Sequence, residues 1–176
     1  MIKHATASVF VFCELGQEWR LGLIEHPRLG KRMVVGGHVE EDETQAEAAV
    51  RETLEESGRR VRLLACPSPI LPSGYPHERV SAPWWITEVR VPADNHLSVP
   101  HVHVDHQYVA IAESPVPVSE PVHPFGWYSA SEIERLPMFE DTRLLARMLF
   151  PRIASVASAA DRDGTAMLRV LSAAGF

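Results

Sequence analysis

Hydrophobic and polar positions divide the first part of the chain into short apolar runs separated by turn residues. Residues 7–13 (ASVFVFC) are nearly continuously apolar and rich in β-branched and aromatic side chains, which predicts a strand buried on both faces. After a turn around Gly16, residues 19–25 (WRLGLIE) have the composition of a returning strand. A short strand at 33–35 is expected to end in a turn at Gly36 and Gly37.

The same reading of the later residues predicts further strands, long loops and a helical end. Strands are expected at 60–65, 81–91, 101–112 and 125–128, with proline-rich loops at 66–79 and 113–124 that have the length of binding loops. A Ser-x-x-Glu capping box at Ser129 opens a helix through Leu136, and further helices are expected at 142–150, 152–160 and 165–174. The pattern therefore indicates an α/β (α+β) fold, an α/β/α sandwich on a mixed sheet with extra C-terminal helices.

Between the early and late strands lies a helix whose two ends are both marked in the sequence. Thr44 can cap its N-terminus, because Glu47 three residues later completes a capping box. Gly58 is suited to the left-handed conformation that ends a helix. The helix is therefore predicted to run from just after Thr44 to just before Gly58.

Three carboxylates lie on one face of this helix. Glu52, Glu55 and Glu56 stand at positions i, i+3 and i+4, and Arg51 is the one basic residue of the segment. Like charges on one face repel, whereas hard divalent cations take oxygen ligands and keep some waters and substrate phosphates. The spacing thus favours a divalent-cation site, with a solvated acidic face as the alternative.

The glycines and charged residues of this stretch resemble the signature of the Nudix hydrolase family. The pattern is Gly37, five residues, Glu43, seven residues, and then Arg51-Glu52-x-x-Glu55-Glu56-x-Gly58. Thr53 and Arg59 occupy positions that are usually aliphatic in the family, and Met33 and Val35 stand where a tryptophan and a proline are usual. The resemblance covers about residues 5–150 of a single predicted domain, 1–176, and leaves 151–176 as a helical extension.

The resemblance implies a reaction, a cofactor and a set of site residues. It implies Mg²⁺- or Mn²⁺-dependent hydrolysis of the phosphoanhydride linkage of a nucleoside diphosphate derivative by a metal-activated water. The implied metal ligands are Glu52, Glu55 and Glu56, joined by the backbone carbonyl of Gly37. Glu43 and Arg51 are expected to be structural supports. A catalytically silent nucleotide-binding or nucleotide-sensing module is the alternative, although such a module does not need the full ligand set.

The general base comes from the signature itself or from a later loop in different members of the family. Glu55, Glu56 and Glu52 are therefore candidate catalytic residues, together with Glu120 in the loop at 113–124. Glu113 is the second candidate in that loop. Both loop carboxylates have the alternative of being ordinary solvated residues.

Four residues are predicted to contact the substrate. Arg32, in the basic loop with Arg28 and Lys31, can pair with phosphates, with a solvated basic loop as the alternative, and Tyr75 can stack on a base. His38 can face the phosphates or cap the helix. His103 is predicted to contact substrate from the strand at 101–112.

The strand at 101–112 also allows a different interpretation, a transition-metal enzyme. His101, His103 and Asp105 share one strand face, and imidazoles suit transition metals. Substrate contact or plain hydrogen bonding suits this run better than a closed tetrahedral site.

Composition bounds the remaining possibilities. A net charge of −6 argues against general nucleic-acid binding and against an anionic-membrane surface, and no apolar run of membrane-spanning length is present. Two cysteines and the absence of a secretion signal at the start favour a cytoplasmic location. The expected partner is a small nucleotide substrate, and a homodimer is possible.

Overall fold

The computed structural model describes residues 1–26, 30–66, 71–94 and 96–160, and Arg28, part of the loop at 66–79 and the helix predicted at 165–174 lie outside them. Within the described residues, eight strands form one sheet, accompanied by four helices. The strands are β1 (Lys3–Leu15), β2 (Glu18–Glu25), β3 (Arg32–Met33), β4 (Val35–His38), β5 (Val61–Leu63), β6 (Trp85–Val91), β7 (His101–Ala112) and β8 (Phe125–Tyr128). The helices are α1 (Gln45–Ser57), α2 (Ala130–Ile133), α3 (Glu140–Leu149) and α4 (Ile153–Ala160).

Strand β1 is the central strand of the sheet. It pairs in parallel with β7 on one edge, and antiparallel with β2 and then β4 along the other edge. Strands β5 and β6 pair antiparallel with β7, while β3 and β8 pair antiparallel with β2. The sheet is therefore mixed, as the sequence predicts.

Alternate residues of β1 supply two cores. Val9 packs with Ala49 of α1 on one face, while Phe10 and Phe12 pack with Leu149 of α3 on the other. Successive side chains of a strand point to opposite faces, so the continuous apolar run at 7–13 serves both layers. The α/β/α sandwich is confirmed. None of the described helices has the length and apolar character needed to span a bilayer.

Helix α1 has the ends that the sequence predicts. The hydroxyl of Thr44 accepts from the backbone N–H of Glu47, the Glu47 carboxylate accepts from the N–H of Thr44, and Gly58 adopts φ +69°. Thr53 is fully buried, but its hydroxyl donates to the carbonyl of Ala49 at 2.7 Å. A polar residue is tolerated at this usually aliphatic position because its hydrogen-bonding group is satisfied inside the helix.

The predicted turn at Gly36 and Gly37 is wrong, because both glycines lie within strand β4. They pair with Ser8 and Ala7 of β1. Gly36 has φ +151°, and a Cβ there would overlap the carbonyl oxygen of Ala7. The glycines therefore permit a close approach of two strands, which the sequence pattern alone does not distinguish from a turn.

The observed ends of several strands and helices differ from the predicted ends by a few residues. Strands β7 and β8 agree with prediction, whereas β1 begins earlier, at Lys3, and β6 begins later, at Trp85. Helix α2 ends at Ile133 rather than Leu136, and α3 begins earlier than predicted, at Glu140. These are the end effects expected where caps and strand pairing decide the terminal residue.

The loop at 113–124 is fastened to the C-terminal end of α1. The backbone N–H groups of Val118 and Val122 donate to the carbonyls of Gly58 and Glu55, at 2.7 and 3.1 Å. The final carbonyls of a helix have no partner within it, so these bonds satisfy them. The loop is thereby held at the end of the helix that carries Glu55.

Arg59 explains the second departure from the usual aliphatic pattern. It is buried, with its guanidinium 4.0 Å from the ring centre of Phe125, and it donates to the carbonyl of Pro115 at 3.0 Å. Burial lowers the pKa of the Arg59 guanidinium. Arg59 therefore packs like a large apolar side chain while also bonding the loop at 113–124.

Candidate active site

Four carboxylates gather where α1 packs against β4, and we refer to Glu43, Glu52, Glu55 and Glu56 as the carboxylate cluster. Three of them come from one face of α1, as the helical spacing predicts, and Glu43 comes from the segment just before the helix. The side chains of Glu52 and Glu56 are about 16% and 15% exposed, and that of Glu55 is 54% exposed. The cluster therefore extends from a buried end to an open one.

Arg51 joins three members of the cluster. Its guanidinium donates twice to Glu43, at 2.6 and 3.0 Å, and also to Glu52 at 2.9 Å and Glu55 at 3.3 Å. A further bond reaches the backbone carbonyl of His38 at 3.0 Å. The hydrogen bond from Arg51 lowers the pKa of the Glu43 carboxyl. A bidentate arginine fixes both the position and the ionised state of its partner.

Glu52 lies directly against Gly37. A Cβ at residue 37 would overlap the Glu52 carboxylate, so only glycine leaves room for the side chain at this point of β4. Burial raises the pKa of Glu52, and the bond from Arg51 opposes that shift. The glycine of the sequence pattern thus provides the space that the carboxylate occupies.

Glu56 is held from two sides. Its Oε2 accepts from the backbone N–H of Gly36 at 2.8 Å, and its Oε1 lies 3.6 Å from Nε2 of His123. Burial raises the pKa of the Glu56 carboxyl to about 7. His123 carries no signal in the sequence, because a lone histidine in a proline-rich loop cannot be assigned to the site until the loop is docked on α1.

The donor set fits a hard divalent cation. Glu52, Glu55 and Glu56 offer only oxygen atoms, which Mg²⁺ and Mn²⁺ prefer. Burial disfavours the charged forms of Glu52 and Glu56 and so raises the pKa of both carboxyls. A nearby cation favours the charged form of a carboxylate and so offsets this cost. These residues therefore suit Mg²⁺ or Mn²⁺.

Three other predicted site residues have different partners. Arg32 pairs with Glu25 at 3.0 Å, Tyr75 is half exposed beside the ring of His77, and Glu120 is exposed in the loop docked on α1. Among the described residues, no hydrogen bond or ion pair is seen between these three side chains and the carboxylate cluster. Their predicted roles in substrate binding and catalysis stay predictions.

A second polar group lies on the opposite face of β4, and we refer to His38, Asp94, His101 and His103 as the histidine cluster. One ligand-type atom from each residue lies within 4.8 Å of the others. Gly37 faces the carboxylates, and the next residue of a strand points to the other face. The structure therefore does not bring His38 and His103 to the carboxylates, and their predicted contact with substrate is untested.

Asp105 does not join the two histidines with which it was grouped in the sequence analysis. It shares their strand face, but its Oδ1 accepts from the hydroxyls of Thr6 and Ser8, each at 2.9 Å. Its Oδ2 accepts from the side-chain amide of Gln107 at 3.1 Å. The parallel pairing of β1 with β7 places those donors beside Asp105, and Asp94 supplies the carboxylate of the cluster instead.

Comparison with known proteins adds to this geometry. Residues 3–148 match the sequence profile of the NUDIX domain. The chain is also similar to the crystal structure of a hydrolase of the NUDIX family from Clostridium perfringens. The two are 26% identical with a TM-score of 0.64, over 86% of this chain and 98% of the other. No curated protein matches the chain.

Two more distant solved structures share the fold. An Ap4A hydrolase from C. elegans is 16% identical with a TM-score of 0.56, over 83% of this chain and 95% of that one. The NUDIX domain of NrtR from Shewanella oneidensis, complexed with ADP ribose, is 18% identical with a TM-score of 0.51, over 87% and 90% of the two chains. The match to the domain profile spans most of the chain, including all the residues of the carboxylate cluster.

Proposed function

The chain belongs to the Nudix family, and from that premise we propose that it is a divalent-metal-dependent hydrolase that cleaves the phosphoanhydride linkage of a nucleoside diphosphate derivative. One observation carries the proposal. The complete set of Glu52, Glu55 and Glu56 is gathered on one helix face beside Gly37, with Arg51 bonded to two of its members. A binding module would not require so many carboxylates in so confined a space.

In this proposal, Glu52, Glu55, Glu56 and the carbonyl of Gly37 would hold Mg²⁺ or Mn²⁺. A bound divalent ion supplies charge neutralisation at phosphate oxygens and lowers the pKa of a coordinated water. The chain's own contribution is orientation. Arg51 fixes the direction of Glu52, and the N–H of Gly36 fixes that of Glu56. Such supports determine how well a ligand set is preorganised.

The proposal also assigns roles at the edge of the site. Glu120 is the proposed proton acceptor outside the signature, since its loop is bonded to the end of α1. Arg32 and Tyr75 are the proposed substrate contacts, whereas His38 and His103 belong to the separate group on the other face of β4 and their predicted contact with substrate stays a prediction. The leaving group is not specified by any of these residues.

The test is hydrolysis of a panel of nucleoside diphosphate derivatives with Mg²⁺ or Mn²⁺, with products identified. We expect turnover by the full chain, reduced roughly 1000-fold by Glu55→Gln or Glu56→Gln, because losing a metal ligand removes several kcal/mol of transition-state stabilisation. Glu41→Gln is the matched control, since Glu41 is an exposed carboxylate in the segment between β4 and α1. Its activity should equal that of the wild type.

Two outcomes would overturn the proposal. Undiminished turnover in both Glu55→Gln and Glu56→Gln would remove the assigned ligands. Nucleotide binding by calorimetry, without turnover of any compound in the panel, would favour the sensing module instead. Light scattering on the same samples tests the predicted homodimer.

A further inference from the structure

The histidine cluster is assembled from three separate segments of the chain. His38 ends strand β4, Asp94 lies in the connection between β6 and β7, and His101 and His103 lie at the start of β7. The His101 side chain is fully buried, and those of Asp94 and His103 are 18% and 20% exposed. This polar group lies outside the carboxylate cluster and takes no part in the proposed hydrolysis mechanism as a ligand for Mg²⁺.

The hydrogen bonding of His101 determines which of its nitrogens carries a lone pair. Its Nδ1 lies 3.0 Å from the carbonyl oxygen of Val99, which can only accept, so the proton is on Nδ1. In neutral His101 the lone pair is therefore on Nε2. That atom lies 3.0 Å from Nε2 of His103 and 3.4 Å from Oδ2 of Asp94. The lone pair thus points into the cluster.

Hydrogen bonds from nearby backbone N–H groups also orient the Asp94 carboxylate. Its Oδ1 accepts from the N–H groups of His96 and Leu97, at 2.8 and 2.9 Å. These backbone bonds lower the pKa of Asp94 to about 2. Its Oδ2 remains available and lies 3.7 Å from Nε2 of His103. Asp94 therefore presents one ionised oxygen to the histidines.

His38 contributes an atom whose hydrogen-bonding capacity is unused. Its Nε2 is buried and has no hydrogen-bond partner. Buried polar atoms are nearly always paired, so this one requires an explanation. The ring of His38 packs against that of His96, with centroids 3.8 Å apart, which holds Nε2 in place.

We infer that His38, Asp94, His101 and His103 together bind one divalent transition-metal ion, with zinc as the best fit. Zinc sites are tetrahedral with Zn–N distances near 2.0 Å, which sets neighbouring ligand atoms about 3.3 Å apart. The separations of 3.0, 3.4 and 3.7 Å among His101, His103 and Asp94 are close to that spacing. Three imidazoles and one carboxylate favour zinc over Mg²⁺, which prefers oxygen ligands.

Burial disfavours the charged form of two of the imidazoles. It lowers the pKa of His38 to about 4 and also lowers that of His103. Neutral imidazole and ionised carboxylate are the ligating forms. A histidine that binds a metal usually donates its other ring N–H to a second group, as His101 does to the carbonyl of Val99.

A hydrogen-bond network without metal accounts for less of the geometry. One proton on Nε2 of His103 can serve the lone pair of His101. The metal-free network still leaves the buried Nε2 of His38 without a hydrogen-bond partner. A single cation would engage one ligand atom of each residue at once, since those four atoms lie within 4.8 Å of one another. Because four protein ligands complete a tetrahedral zinc, the site is structural and fastens the connection between β6 and β7 to strand β4.

The experiment measures metal in the full chain after expression in zinc-supplemented medium. We expect about one zinc per chain by elemental analysis after gel filtration, as for a closed structural site. Replacing zinc with Co²⁺ should give the visible absorption of tetrahedral Co²⁺, saturating at one equivalent. Chelation of the zinc should lower the melting temperature, since a metal bound by the native state stabilises it.

Substitutions test whether these residues are the zinc ligands. Asp94→Asn keeps an oxygen for the N–H groups of His96 and Leu97 but replaces the ionised Oδ2, so zinc affinity should fall at least 10-fold without loss of fold. His101→Ala should abolish the Co²⁺ spectrum. His77→Ala removes an exposed histidine and should retain one zinc.

The inference is overturned if the folded wild-type chain holds no transition metal and gives no Co²⁺ spectrum. It is also overturned if Asp94→Asn binds zinc as tightly as the wild type does. Glu56→Gln separates this result from the proposed hydrolase activity, because it should lose turnover yet keep its zinc. Each of the two proposals can thus fail alone.

Discussion

The carboxylate cluster and the histidine cluster lie on opposite faces of the same strand, β4, yet they are built differently. The first takes three of its four carboxylates from one face of α1, and Arg51 bonds two of these, Glu52 and Glu55, as well as Glu43. The second takes its four ligand-type atoms from β4, β7 and a connecting loop. A local periodicity therefore specifies one cluster, whereas the topology of the sheet specifies the other.

The two clusters meet at one residue. The side chain of His38 belongs to the histidine cluster, while its backbone carbonyl accepts a bond from Arg51 at 3.0 Å. A substitution that moves β4 should therefore disturb both clusters. A substitution that affects only a side chain of α1 should disturb the carboxylate cluster alone. The predictions below test this division.

The largest effect on stability is expected from Arg51→Met. It leaves Glu43 and Glu52 without the charged partner that they share, and breaking a mostly buried ion pair from one side costs about 3 kcal/mol. Urea unfolding measures the loss. Arg90→Met is the control, because Arg90 is exposed and should change stability by no more than about 0.5 kcal/mol.

The double variant Arg51→Met, Asp94→Asn sharpens this result. Because His38 bonds one cluster through its carbonyl and belongs to the other through its ring, the two losses should differ from additivity by about 0.5 kcal/mol or more. Strict additivity would mean that the clusters are energetically separate despite their common strand.

The paired variants Gly36→Ala and Gly37→Ala are expected to have the next largest effects, and they should differ from each other. A methyl group at residue 36 meets the backbone of β1 at φ +151°, so we expect a loss of roughly 2 kcal/mol together with loss of zinc. At residue 37 it meets only the Glu52 side chain, which can rotate away. Gly37→Ala should therefore lose turnover while its zinc content stays at the wild-type level. Equal damage to both sites by the two variants would contradict the division.

The last expected effect is a dependence of stability on pH that comes from Glu56. The pKa of the Glu56 carboxyl is about 7 in the folded chain and 4.5 in the unfolded chain. Between these two pH values the folded state therefore binds the proton more tightly than the unfolded state does. Wild-type stability in magnesium-free buffer should thus fall as pH rises from 4.5 to 7. Glu56→Gln should remove that slope and be about 2 kcal/mol more stable than the wild type at pH 8, with no such advantage below pH 4.5.

Unfolding curves across pH 4 to 8 check this prediction. Added Mg²⁺ should restore the wild type at pH 8, since a nearby cation favours the ionised carboxylate. A wild-type curve parallel to that of Glu56→Gln across the range would show that Glu56 carries no burial penalty.

The sequence predicts those features that depend on neighbouring residues. Thr44 and Gly58 bound helix α1 as expected, because caps are recognised within a few residues of the chain. The common face of Glu52, Glu55 and Glu56 follows from helix geometry alone. The order of secondary structure and the sandwich architecture were accessible for the same reason.

Features that depend on distant pairing were not predicted. The sequence placed Asp105 with His101 and His103 on one face, but the hydroxyls of Thr6 and Ser8 come from β1 and bind it instead. The role of Asp94 depends on how its loop folds back. The glycines of β4 were predicted as a turn because close strand approach and turns both require glycine.

The parallel pairing of β1 with β7 bears on how the protein folds. This pairing joins Lys3 to Val102 and Phe12 to Ile111, so the two central strands meet only after most of the chain has been synthesised. Contacts between residues so distant in sequence slow folding, because loop-closure entropy is lost before the contacts form. Helix α1, which is capped at both ends by its own neighbouring residues, depends less on such distant contacts. The histidines of β7 reach His38 only when the central strands have joined, so a metal added during refolding should report the late step.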